Sequence, residues 1–183
     1  MKFRNFQTAA ALLSAAILTG GLAANVNGQT KTDAKPKVER EVHADWIVEC
    51  ITPQQQKRVC YMIQVHQVIE TKKTIFQVLI LKQRNAVGYS AVVLAPLGVL
   101  LPKGLVVSAK GANPLGVAFN NCGQRGCVAR FNLSPELQGA FKSGASANFR
   151  MVNAGSGKPV AFTVSLSGFS AALKRVAELS PGS

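Results

Sequence analysis

Four cysteines offer the most direct chemistry in this sequence. Cys50 and Cys60 are ten residues apart, and Cys122 and Cys127 are five apart in the run CGQRGC. An even count at short spacings suits two disulfides in an oxidising compartment. Zinc is the competing chemistry, since Cys-x4-Cys with His43 or His66 could form part of a knuckle. The ten-residue spacing of the other pair does not fit one, and exported thiols oxidise, so neither metal nor cofactor is expected. Of the three connectivities the two local pairings are favoured, because TPQQQKR and GQRG both read as turns. Closing loops of these lengths stabilises by about 2–3 kcal/mol each. Redox catalysis would call for Cys-x-x-Cys, which is missing.

Catalytic constellations are sparse. The only histidines are His43 and His66, and His66 sits inside a strand candidate. An envelope enzyme would have to rest on His66 or Glu70 lining a cleft. The chain has no Gly-x-Ser-x-Gly elbow, no His-Glu-x-x-His and no phosphate loop. The GSGK of residues 155–158 reads as a hairpin loop between strands. Of eight acidic residues, Asp33, Glu39 and Glu41 lie in or beside a linker, leaving too few for paired-carboxylate hydrolysis. The expectation is a protein that is not an enzyme.

Charge is the better guide to partners. Lys plus Arg number 21 against 8 Asp plus Glu, a net charge of +13. Arg125 within the short disulfide loop, Arg130 and Arg150 on strand faces, and Lys110, Lys142 and Lys158 in loops form a candidate anion-binding surface if they converge. Fitting partners are anionic lipid, lipopolysaccharide phosphates, an acidic glycan or a negatively charged host surface protein. If the same residues are scattered, they serve solubility alone. Nucleic acid is not expected, because aromatics are few and an RNA-recognition signature is missing.

These residues must be positioned by a chain that begins with an address. Lys2 and Arg4 precede an apolar run over residues 9–24, the pattern of a cleavable signal peptide covering residues 1–28. Cleavage fits before Ala24 or before Gln29. The run is 16 residues and is interrupted by Gly20 and Gly21, short of the ~20 that span a bilayer. No transmembrane helix is expected after cleavage, and loss of Lys2 and Arg4 takes the net charge to +11. The protein is expected in the periplasm, at the cell surface or secreted. Residues 29–41, rich in Lys and poor in apolar side chains, read as a flexible basic linker.

Residues 42–180 read as a single β domain. Nine strand candidates span residues 42–51, 59–69, 74–81, 89–95, 105–109, 115–122, 127–133, 147–152 and 159–166. Period-two alternation puts Val59, Tyr61, Ile63 and Val65 on one face, and Val160, Phe162, Val164 and Leu166 on another. Turn residues between the runs indicate an all-β fold, an antiparallel sandwich or barrel. Short helices are expected at Ser134-Pro135-Glu136-Leu137 and over residues 167–179. The second presents Phe169, Leu173 and Val176 to a sheet edge or barrel mouth. Lone Trp46 is expected in the core with its N–H partnered.

Four blocks carry a resemblance. Asp45-Trp46-x-Val48-x-Cys50, Pro96-Leu97-Gly98-Val99-x-Leu101-x-x-Gly104, Cys122-x-x-x-Gly126-Cys127-Val128-Ala129 and Ser165-Leu166-Ser167-Gly168-Phe169-x-Ala171-Ala172-Leu173 look like the pattern of the invasion-associated locus B family. The resemblance implies a small exported bacterial protein, implicated in some members in host-cell invasion, and transfers no catalytic residue. Three roles follow as expectations: an interaction protein with anionic partners, a structural or chaperone-like periplasmic subunit pairing through a sheet edge, or an envelope enzyme.

Overall fold

The computed structural model describes residues 37–53, 57–84 and 87–180. The expected signal peptide, and residues 29–36 of the expected linker, lie outside the described residues.

Eleven strands form in chain order: β1 (Lys37–His43), β2 (Trp46–Thr52), β3 (Val59–Gln67), β4 (Thr74–Lys82), β5 (Tyr89–Ala95), β6 (Leu105–Ala109), β7 (Leu115–Val117), β8 (Phe119–Gly123), β9 (Gly126–Leu133), β10 (Ser146–Val152) and β11 (Pro159–Ser165). Two helices, α1 (Pro135–Ser143) and α2 (Phe169–Leu179), follow β9 and β11. All strand pairs are antiparallel, in a seven-stranded sheet ordered β1-β2-β3-β4-β5-β9-β8 and a four-stranded sheet ordered β11-β10-β6-β7.

The two sheets pack through their apolar faces, so the expected all-β fold is a sandwich. Phe76 of β4 stacks on Phe162 of β11 at 4.4 Å and meets Phe149 of β10 edge-on at 5.5 Å. Around them Val48, Met62, Val78, Ile80, Ala91 and Val93 of the large sheet face Leu105, Val107, Met151 and Val164 of the small one, all buried. The remaining part of the large sheet's inner face is covered by α2, whose buried stripe is Phe169, Ala172, Leu173 and Val176. This helix lies across β1 to β4. It therefore covers a sheet face, where an edge or barrel mouth was expected.

Each of two strand candidates proves to be two strands. Residues 42–51 are divided by a tight turn at Ala44, whose φ of 52° is unusual for a residue with a Cβ and leaves no turn signature in the sequence. Residues 115–122 are divided at Ala118, where the chain leaves the small sheet as β7 and enters the large one as β8. Helix α1 starts where expected, with the Ser134 hydroxyl accepting from the Leu137 N–H at 3.1 Å, and it runs on to Ser143.

The linker expectation is corrected over residues 37–41. These residues belong to β1, which pairs with β2 from Lys37 opposite Thr52 to His43 opposite Trp46. Their charges belong to an edge strand, which resists further pairing. Each carboxylate has a basic partner: Glu39 pairs with Lys37 at 3.0 Å and with Arg58, and Glu41 pairs with Arg175 at 2.7 Å. The Arg175 guanidinium holds the Glu41 carboxyl below the usual carboxylate range.

Candidate functional site

In a meander, alternate loops leave from the same end of the sheet. The β2–β3 and β4–β5 connections are therefore neighbours here, and both are basic. They bring Lys57, Arg58, Lys82 and Arg84 to one end, where Arg130 rises from the outward face of β9. Together they line an open cleft of about 1120 Å³ whose apolar floor includes Val59, Leu81, Val92 and Leu179. Ser90, Gln83 and Asn132 add a polar cluster, with the Gln83 amide donating to Asn132 Oδ1 at 2.7 Å. No carboxylate is among the described residues that line the cleft. Arg58 is paired with Glu39, and the Lys82 ammonium donates to the Ser180 carbonyl at 2.9 Å. Lys57, Arg84 and Arg130 form no ion pair among the described residues, so their charge is open to an external anion.

Of the six cations singled out from sequence, Arg130 alone lines this cleft. Arg150 stands on the outward face of the small sheet, opposite Val106 and Ala161, and lines a separate depression of about 180 Å³ with Lys103. Arg125 is at the tip of the β8–β9 turn, Lys110 in the β6–β7 turn, Lys158 in the β10–β11 hairpin and Lys142 on α1. Arg130 and Arg150 do not share a surface, because alternation that is outward on one sheet points away from outward on the other. The missed residues carried a signal: Lys57-Arg58 and Lys82-Gln83-Arg84 flank two loops that any meander places at the same end.

The four cysteines pair as Cys50–Cys60 and Cys122–Cys127, and no described cysteine is free. Both bridges join residues directly opposite each other, with Cα separations of 4.1 and 4.0 Å, on β2/β3 and β8/β9. His66 and Glu70 do not share a site. Glu70 is exposed in the β3–β4 turn, while His66 points between the sheets, edge-on to Phe76 at 5.6 Å and Phe162 at 6.0 Å.

Burial lowers the affinity of His66 for a proton, and its Nε2 is buried with no hydrogen-bond partner. Unfolded, this imidazole protonates near its ordinary value of 6.5, so just below that pH the unfolded state binds more protons than the folded one. Stability contributed by neutral His66 is present above pH 6.5 and is lost as pH falls toward the depressed folded value. Urea midpoints measured between pH 8 and 5 are expected to decline through this window, and His66→Phe is expected to remove part of the slope. Equal slopes in both proteins would assign the titration elsewhere.

The sequence blocks that carry the family resemblance meet in pairs. Asp45 accepts from the Ser165 hydroxyl at 2.6 Å, and the Trp46 indole N–H donates to the Ser165 carbonyl at 3.0 Å. Gln64 closes the set, donating to that carbonyl and accepting from the Ser165 N–H, both at 3.0 Å. Trp46 lies edge-on to Phe169 at 5.5 Å, and Gly168, with a φ of 81°, lets the chain pass against the His43 carbonyl. Likewise Gly126 sits against the Ala95 carbonyl beside Pro96, and Gly98 accepts from the Ala154 N–H at 2.7 Å. These blocks hold elements together.

A family model described as invasion associated locus B protein matches residues 46–177. The chain belongs to the invasion associated locus B family. Two Brucella abortus proteins, named as invasion protein B homologs, from strain 2308 and from biovar 1 strain 9-941, are each 32% identical over 142 residues. Each match covers 76% of this chain and 80% of the relative. The crystal structure of invasion associated protein B from Bartonella henselae matches with a TM-score of 0.69 at 22% identity, over 77% of this chain and 96% of that one. The fold is thus shared with that structure, and the family is named for invasion and not for a reaction. Among the described residues of this family member, no helix is long and apolar enough to cross a membrane.

Proposed function

We propose that this protein acts outside the cytoplasm as a non-catalytic interaction protein that contributes to host-cell invasion or envelope fitness by holding an anionic partner in its cationic cleft. The two disulfides support the compartment, since such bonds persist where thiols are oxidised. Membership of an invasion-associated family supports the context. The single observation that carries the binding reading is the gathering of Lys57, Arg58, Lys82, Arg84 and Arg130 around one cleft with no carboxylate among the described residues that line it. Low-dielectric walls beside like charges focus the field and draw anions to that end of the molecule.

Retention on immobilised heparin tests this reading, because it samples anionic contact without a membrane. The double variant Arg84→Glu/Arg130→Glu is expected to bind at least tenfold more weakly than wild type at 0.15 M salt. The control Arg125→Glu/Arg150→Glu changes the net charge equally at positions outside the cleft, and is expected to retain most of the affinity. Equal losses in the two variants would make net charge, not the cleft, responsible.

A further inference from the structure

We infer that the outward face of the seven-stranded sheet is a docking surface for an anionic phospholipid bilayer, with the cationic cleft receiving lipid phosphates at one end. The inference builds on the cleft as an anion site and goes further, naming a lipid surface as the partner.

The antiparallel register lays out the face row by row. Val42, Ile47, Ile63, Leu79, Val92 and Arg130 lie in one row across β1, β2, β3, β4, β5 and β9. Val65, Gln77, Leu94 and Val128 form the next. Such alternation ordinarily places polar residues on the face opposite the core, as happens where one side of an antiparallel sheet meets water. Here the outward side of the central strands is largely aliphatic, interrupted by Tyr61, Gln77 and Ser90. Val42 is 73% exposed and Val65 37% exposed. Both described helices and the four-stranded sheet lie on the inner face with Trp46 and Phe76, so among the described residues nothing packs against the outer one. A contiguous apolar surface of this kind marks an interaction site.

Charge selects the occupant. The first row ends at Arg130 and the cleft, so apolar surface and unpaired cations are continuous. The carboxylate of the adjoining row, Glu49, is buried and already held by Arg40 at 2.7 Å and by the Tyr61 hydroxyl at 2.7 Å. Two copies meeting face to face would join two surfaces that each carry unpaired cations, which like-charge repulsion opposes. A bilayer with acidic headgroups satisfies both halves at once: aliphatic side chains enter the acyl boundary while the cleft meets phosphate. Each Lys or Arg held near an anionic leaflet strengthens binding about fivefold.

The test uses protein purified from its own cells and vesicles of either pure phosphatidylcholine or phosphatidylcholine with phosphatidylglycerol. Cosedimentation is expected only with the phosphatidylglycerol vesicles. Val42→Thr/Val65→Thr/Val128→Thr keeps shape and strand preference while making the face polar, and is expected to bind those vesicles at least tenfold more weakly. Its heparin retention and thermal unfolding should match wild type. Several results would overturn the inference: heparin retention without vesicle binding, undiminished vesicle binding by the threonine variant, equal binding to neutral vesicles, or a dimer that the threonine variant abolishes. The first of these leaves the anion reading standing, while loss of both heparin and vesicle binding removes both readings.

Discussion

Trp46→Ala is expected to destabilise the fold by about 3–5 kcal/mol, the usual range when a large buried aromatic is truncated. Trp46 is fully buried at the start of β2 and fixes α2 through Phe169, which in turn meets Phe141 of α1 edge-on at 5.5 Å. Removing the indole empties the space between β2 and the helix and deletes the hydrogen bond to the Ser165 carbonyl. That carbonyl keeps the Gln64 donor, so the loss is mainly one of packing. Trp46→Phe, which retains a ring, is expected to cost less, about 1–3 kcal/mol. Because Trp46 is the only tryptophan, urea denaturation should be followed by far-UV circular dichroism. A loss below 1 kcal/mol for the alanine variant would show that α2 is held mainly by other contacts.

Gly126→Ala is expected to cost about 3 kcal/mol, against less than about 0.5 kcal/mol for Gly123→Ala in the same tight turn. The difference is steric. At Gly126 the φ is 143°, an added Cβ would collide with the Ala95 carbonyl oxygen, and Leu94 Cδ1 lies 3.1 Å away. Around Gly123 an added Cβ meets nothing within 4 Å. Relief at Gly126 would require β5 and β9 to part where they pair at Ala95 and Cys127. Thermal unfolding of the two variants, with disulfides intact, measures the contrast directly. Matching midpoints would refute it. The effects of Gly126→Ala and Trp46→Ala should add, since β2 and β9 are four strands apart, roughly 19 Å at the usual spacing.

The strands of the core were legible because each hides one face, and the period of two survives in the residues. Val160, Phe162 and Val164 alternate as read, and all turn toward the large sheet. The cysteine pairs were legible because they flank short turns. Two features left weaker marks. The strand Lys37–His43 looks like linker because an edge strand needs no apolar alternation, only backbone bonding to one neighbour and charges that find partners. The turn at Ala44 uses positive φ without Gly or Asn, so nothing in the residue type announces it.

The candidate surface was less legible. Arg130 and Arg150 both read as strand-face cations, yet one faces outward from the large sheet and the other from the small one. Whether two strands share a sheet depends on how the connections Pro96–Gly104 and Ser134–Ala145 cross the sandwich, and that is a property of the packed chain.

The residue pattern by itself determined the β class, the disulfide pairs and the inward sets of side chains, because turn geometry and alternation act over a few neighbouring positions. Only the tertiary structure decided which cations share a cleft and that no described element packs on the outward face of the central strands. Both depend on which layer each strand joins and where α2 lies, outcomes of contacts between residues more than a hundred positions apart, such as Trp46 with Ser165.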